Sequence, residues 1–161
     1  MQTRSADQQQ AVISFKRTGS ANPDFRDLVV LLDRELAARD GEEHAFYARF
    51  NKLDNIGHVV VCYVNDLPAG CGAFKAYDET RVEIKRMFVQ PEYRGHGIGH
   101  GILKALESWA ATLHYSGCIL ETGKKQPEAI RLYEKAGYNL VKNYGQYKEV
   151  ENSVCMEKSI L

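Results

Sequence analysis

The chain has 161 residues, enough for one domain with a sizeable core, and its 21 Lys plus Arg balance 21 Asp plus Glu. Zero formal net charge at pH 7 argues against a protein that grips a nucleic-acid backbone. No apolar run approaches the length of a membrane span, and Met1–Asp7 lacks the apolar core of a signal segment, so a soluble cytoplasmic protein is expected.

Residues 1–11 are polar and glutamine-rich and read as frayed. Val12–Lys16 reads as a first strand. Asn22-Pro23-Asp24 is a helix start: a capping residue, a proline at the first helical position and an acid in the first turn. Phe25, Val29, Leu32 and Leu36 then recur at helical spacing. Gly41 breaks that pattern, and a second helix is expected over Glu42–Leu53. The β-rich run Val59–Val64 is followed by a hairpin connection over Asn65–Gly70 and by a strand of small residues, Gly70–Lys75. Tyr77–Thr80 reads as a turn into a central strand, Val82–Val89.

A helix is expected from Ile98, burying Ile98, Ile102, Leu106, Trp109, Ala110 and Leu113. Cys118–Thr122 reads as a short strand. Gln126-Pro127-Glu128 opens another helix that ends at Gly137. Strand-like ends follow over Tyr138–Asn143 and Ser153–Lys158. There is no internal repeat or linker, so residues 1–161 are expected to form one domain. Cys62, Cys71, Cys118 and Cys155 form no Cys-x-x-Cys pair and lie in apolar strand-like contexts. They read as reduced core residues, with disulfides the poorer alternative. His44, His58, His96, His100 and His114 stand in no metal-ligand spacing, and no metal is expected.

The stretch richest in chemistry is the junction Gln90-Pro91-Glu92-Tyr93-Arg94-Gly95-His96-Gly97-Ile98-Gly99. A strand runs into a glycine-rich turn, and a helix opens out of the turn. Alternating glycines let the backbone approach a ligand, and the first N–H groups of a helix favour an anion. A P-loop would close on Gly-Lys-Ser/Thr, but here Gly99 is followed by His100-Gly101. The dinucleotide spacing fits poorly as well. What fits is Arg-x-x-Gly-x-Gly, carried by Arg94, Gly97 and Gly99.

With these residues, and with Ala129–Tyr138 as a second signature, the chain resembles the GNAT superfamily, the Gcn5-related N-acetyltransferases. The resemblance covers nearly everything from about Ile13 onward. It implies an α/β (α+β) fold: a central mixed, mostly antiparallel sheet flanked by helices, in the order β-α-α-β-β-β-α-β-α-β-β. It implies acetyl-CoA as acetyl donor, with Arg94, Gly95, His96, Gly97, Ile98, Gly99 and His100 around the pyrophosphate. Met87, Phe88 and Val89 would pair with the pantetheine arm. Gln126 stands where many members carry an asparagine against that arm, and is one methylene longer. Glu83 matches the general base of Gcn5-like members, with Glu121 the runner-up. Tyr133 matches the tyrosine that donates to the departing thiolate.

Each assignment has a plainer counterpart. Glu83 would serve equally as a cross-strand partner of a cation, Tyr133 as a packed core tyrosine, and the glycine turn as a mere strand–helix connection. The acceptor is expected to be a primary amine of a small molecule, an amino acid or a peptide end. Its walls would come from Asp40, Glu42, Glu43, His44 and Tyr47, and from Asn143, Tyr144, Gln146 and Tyr147. These residues could equally form a solvated face. A catalytically silent acyl-CoA sensor of the same fold is the alternative function. Many relatives dimerise, and nothing in this sequence decides whether this chain does.

Overall fold

In the computed structural model, residues 10–40 and 56–161 are described, with only the backbone for Asp40. The helix expected over Glu42–Leu53 lies outside them, as do residues 1–9. Seven strands form one sheet in the order β1-β2-β3-β4-β5-β7-β6. They are β1 (Ile13–Thr18), β2 (His58–Val64), β3 (Leu67–Ala76), β4 (Arg81–Val89), β5 (Gly117–Gly123), β6 (Asn139–Val141) and β7 (Ser153–Ser159). Every pair is antiparallel except β4 with β5, which are joined by a helical crossover and run parallel. Among the described residues the α-helices are α1 (Pro23–Asp40), α2 (Ile98–Thr112) and α3 (Pro127–Lys135).

The local signals account for most boundaries. Asn22 caps α1, its side-chain oxygen accepting the Phe25 N–H at 3.1 Å. The β2–β3 hairpin is tighter than expected: Asn65 and Asp66 both take positive φ, at 50° and 66°. That two-residue turn matches the strand twist, so pairing resumes at Leu67. Leu113, expected in the core, is 42% exposed because α2 ends one residue before it. No helix among the described residues is long and apolar enough to cross a membrane.

Strand alternation splits the core in two. On one face, Val60, Phe74, Val82, Ile84 and Leu120 pack with Ile98, Ile102, Leu103 and Leu106 of α2 and with Tyr133 of α3. On the other, Val59, Val61, Cys71, Ala73 and Phe88 pack with Phe25, Leu28, Val29 and Leu32 of α1. All four cysteines are buried and free. Burial pushes the Cys71 and Cys118 thiols up to about 12 and those of Cys62 and Cys155 up to about 11, so they are unreactive core groups.

Two irregularities shape the site. Ala73 pairs with Lys85 and Cys71 with Phe88, so Gly72 faces two residues of β4, Arg86 and Met87. This is a β-bulge, and Arg86 takes φ +60° within it. Gly72 fits because it has no side chain: a Cβ there would lie 2.5 Å from Met87 Sδ and under 3 Å from Ile102 and Leu106. Gly72→Val is therefore expected to lower stability by about 1–3 kcal/mol, the cost of overpacking, read as a fall in denaturant midpoint at constant slope. An unchanged midpoint would mean that the bulge does not press β3 against α2.

Candidate active site

The second irregularity opens a cleft. β4 and β5 pair only from Arg81↔Gly117 to Ile84↔Leu120. Beyond that point β4 runs on to Val89 while β5 stays with β7 as far as Gly123↔Ser153. The two strands part, and the edge of β4 from Lys85 to Val89 that faces β5 has no strand partner among the described residues. Backbone donors and acceptors on such an edge are available to an extended ligand. The gap forms a cavity of about 780 Å³, within the usual range for ligand sites.

At one end of the cleft lies the N-terminus of α2. Gly95 and Gly97 have φ of +83° and +78°, and no atom lies within 4 Å of where a Cβ would stand. They are needed for the backbone turn, and they leave open space above it. Gly97 is the N-cap; it provides no capping side chain, and the first turn holds no acid. The leading N–H groups of α2 therefore lack a capping side chain where the helix meets the cleft, a polarity that favours an anion. Arg94 does not stand free beside them. Its Nε donates to the Val89 carbonyl at 2.8 Å, and its Nη2 lies 2.9 and 3.1 Å from the two carboxylate oxygens of Glu35 on α1.

Glu35 begins a chain of contacts across the cleft. It also lies 3.7 Å from Arg39, and Arg39 Nη1 donates to Gln126 Oε1 at 2.7 Å and to Glu128 at 3.0 Å. A guanidinium can only donate, so Arg39 holds the oxygen of the Gln126 amide. The Nε2 end is thereby left buried and without a hydrogen-bond partner among the described residues. An orphaned buried donor lining a cavity is suited to an amide carbonyl of a ligand. Below it, Tyr133 of α3 is 6% exposed and lines the cleft. Burial, and then the charge of Glu121, raise its phenol well above the ordinary range, so it stays a neutral donor.

The opposite end is polar. Glu83 is 4% exposed; Tyr144 donates to one of its oxygens at 2.7 Å, and the other lies 3.7 Å from Lys85 Nζ and 3.9 Å from Lys75 Nζ. Burial holds the Lys85 ammonium below the usual lysine range, against the opposing pull of Glu83. Glu121 accepts from Ser153 Oγ at 2.6 Å across β5 and β7. Among the described residues no cluster of His, Cys, Asp and Glu is placed to hold a metal ion.

Residues 25–138 match the sequence profile of the acetyltransferase (GNAT) family. The chain belongs to this family. Its GNAT fold is shared with a crystal structure from Klebsiella pneumoniae subsp. pneumoniae named provisionally as an acyl-CoA N-acyltransferase. That protein is 26% identical, with a TM-score of 0.75 over 92% of this chain and 98% of the other. A GNAT family acetyltransferase from Elizabethkingia anophelis, solved with acetyl-CoA bound, has the same fold at 19% identity. Its TM-score is 0.65 over 91% of this chain and 97% of the other. Among curated proteins, an IAA acetyltransferase of Azospirillum brasilense is 40% identical over 92 residues, 56% of this chain and 60% of its own. The chain spans 60–62% of the length of the first curated relatives it matches.

The GNAT cleft gathers nearly every residue singled out from sequence. Glu83, Tyr133, Glu121, Met87, Phe88, Val89, Arg94, Gly95, Gly97, Ile98, Gly99, His100 and Gln126 all line it, while His96 is exposed and does not. Of the acceptor-side residues, Tyr147 lines the cleft and Tyr144 reaches Glu83. Asn143 is turned to the Val150 carbonyl. Glu42, Glu43, His44 and Tyr47 lie outside the described residues. Sequence reasoning missed Glu35 and Arg39, half-buried residues of α1 that line the cleft but read in the sequence as ordinary solvated charges. It also missed Arg86, whose direction depends on the bulge.

Proposed function

We propose that the chain is an acetyl-CoA-dependent N-acetyltransferase, a single GNAT domain acting in the cytoplasm on a primary amine of a small molecule, amino acid or peptide end. The observation that carries this reading is the parting of β4 from β5. It connects an uncapped helix N-terminus to a pocket holding Glu83, Glu121 and Tyr133. The four buried free thiols suit a reducing compartment.

The residues fit the donor substrate. The leading N–H groups of α2, with Arg94, would take the diphosphate, each charged hydrogen bond contributing about 1.5–3 kcal/mol. The pantetheine would lie along the unpaired edge at Met87–Val89, with Gln126 Nε2 donating to one of its carbonyls. A backbone N–H of that edge would donate to the acetyl oxygen as negative charge grows on it.

The amine must lose a proton before it can attack. An alkylammonium with pKa roughly 10.4 is about 3.4 units from neutral pH, which costs roughly 4.6 kcal/mol. Glu83, or Glu121 through water, takes that proton. The nitrogen bonds to the acetyl carbon and releases its second proton to water, and the carbon–sulfur bond breaks with its electron pair going to sulfur. Tyr133 donates a hydrogen bond to the thiolate. Its raised pKa makes full proton transfer to sulfur unfavourable, so stabilisation of the charge is its part.

Calorimetry with acetyl-CoA, followed by thiol release over a panel of amino acids, polyamines, aminoglycosides and peptides, tests this reading. Micromolar binding and acceptor-dependent thiol release are expected. Binding without transfer to any amine would point instead to an acyl-CoA sensor, and no binding would overturn the reading altogether.

A further inference from the structure

The bulge in β4 places two cations side by side on one face of the sheet. Regular alternation would send Glu83 and Lys85 towards α1 and Arg86 into the apolar core beneath α2. The extra residue resets the alternation, and Arg86 faces α1 instead, its Nη1 donating to Asp33 at 3.1 Å. The conformation that achieves this is a left-handed one, φ +60°. A glycine would adopt it freely, whereas a residue with a side chain is strained there.

The arginine at this position is poorly satisfied by the protein. Its side chain is 4% exposed, while Asp33, its one acid partner among the described residues, is 48% exposed. Asp33 engages only Nη1. Nε is buried with no hydrogen-bond partner, and Nη2 makes no hydrogen bond among the described residues. A buried donor left unmatched is costly, more so on a charged group. The unmatched Nε–Nη2 side is the edge of a guanidinium that grips a carboxylate with two parallel N–H groups. Arg86 lines the same cleft as Glu83, Lys85 and Glu121, and shares β4 with Glu83 and Lys85.

We propose that the amine acceptor carries a carboxylate, bound by the Nε–Nη2 edge of Arg86, while its amino group faces Glu83 and Glu121. This rests on the acetyl-transfer reading of the same cleft and narrows the acceptor to amino acids and related zwitterions. A guanidinium offers donors only, so its partner must be an acceptor, and a buried cation selects an anionic one. Lys85 beside it adds to the positive field on that side. Asp33, at the solvent edge, leaves part of that charge for the substrate.

The test uses α-, β- and γ-amino acids, each paired with its carboxamide, in a thiol-release assay with acetyl-CoA. Free acids are expected to be preferred over their amides in kcat/KM by about 10- to 100-fold, the range for a charged hydrogen bond. Arg86→Gln should bring that ratio close to one, chiefly through KM of the acid, and leave the affinity for acetyl-CoA within about twofold by calorimetry. Arg86→Lys, which keeps the charge but loses the two-pronged edge, should fall between. Equal use of acids and amides by the unaltered protein, or an unchanged ratio in Arg86→Gln, overturns the proposal while leaving the transferase reading intact. If neither series is acetylated while another amine of the wider panel is, the carboxylate proposal fails and the transferase reading stands; if no amine of that panel is acetylated, the transferase reading fails. The carboxylate site is then judged by thermal shift with N-acetyl amino acids against their amides. Stabilisation by the acids alone, lost in Arg86→Gln, supports it, and equal shifts reject it.

Discussion

Glu83→Gln is expected to lower kcat by roughly 100-fold or more, within the range for loss of a general base, and to move acetyl-CoA affinity by less than about threefold. The asymmetry follows from where the carboxylate sits. It lies on β4 before the strands part, held by Tyr144 at 2.7 Å, on the far side of the cleft from the α2 N-terminus. Nothing in that position touches a diphosphate. Glutamine keeps the length and accepts the same hydrogen bond from Tyr144, so the fold should not change. The amide cannot take a proton from the amine. The comparison that decides the role is Glu121→Gln in the same assay. If that change stops turnover while Glu83→Gln leaves it near normal, the proton goes through Glu121, and Glu83 is a partner for Lys75 and Lys85.

Arg94→Glu should act on the other half of the reaction, raising the Kd for acetyl-CoA by about 100-fold. Loss of one charged hydrogen bond accounts for roughly 1.5–3 kcal/mol, and the new carboxylate would repel both the diphosphate and Glu35. Arg94→Ala, which removes the attraction without adding repulsion, should cost less, about tenfold. Because Arg94 already lies against Glu35 at 2.9 Å, binding an anion there means sharing or exchanging that partner. Calorimetry on both variants measures the effect directly. Unchanged affinity in Arg94→Glu would mean that the α2 backbone holds the diphosphate unaided and that Arg94 serves only to tie α1 to the loop.

The local features of the fold were readable because they depend on neighbours in the chain. Asn22-Pro23 starts α1 and Pro127 starts α3 as their residue types require. The φ of Gly95 and Gly97 follows from the absence of a Cβ. The apolar spacing of Ile98, Ile102 and Leu106 gives α2 its buried face. Boundaries slipped where a local signal was read too loosely. The Asn65-Asp66 turn is tight enough to bring Leu67 and Pro68 into β3, and α2 ends before Leu113 can be buried.

The site was only half readable for the same reason. Its glycine turn and the residues of β4 form contiguous motifs, and every residue singled out in them except His96 lines the cleft. The contacts that align them are not contiguous: Glu35 meets Arg94 across 59 positions and Arg39 meets Gln126 across 87. On the sequence these are charges on the polar side of a helix, with nothing to mark them from their neighbours.

By itself, then, the order of residues set the element types, the family and the glycine turn at the start of α2, since dihedral preference and helix polarity act over a few residues. The packed chain set where β4 leaves β5, the side to which Arg86 turns and the partner that orients Gln126. Those outcomes depend on which strand pairs with which, and on how far, and no short stretch of sequence contains that information.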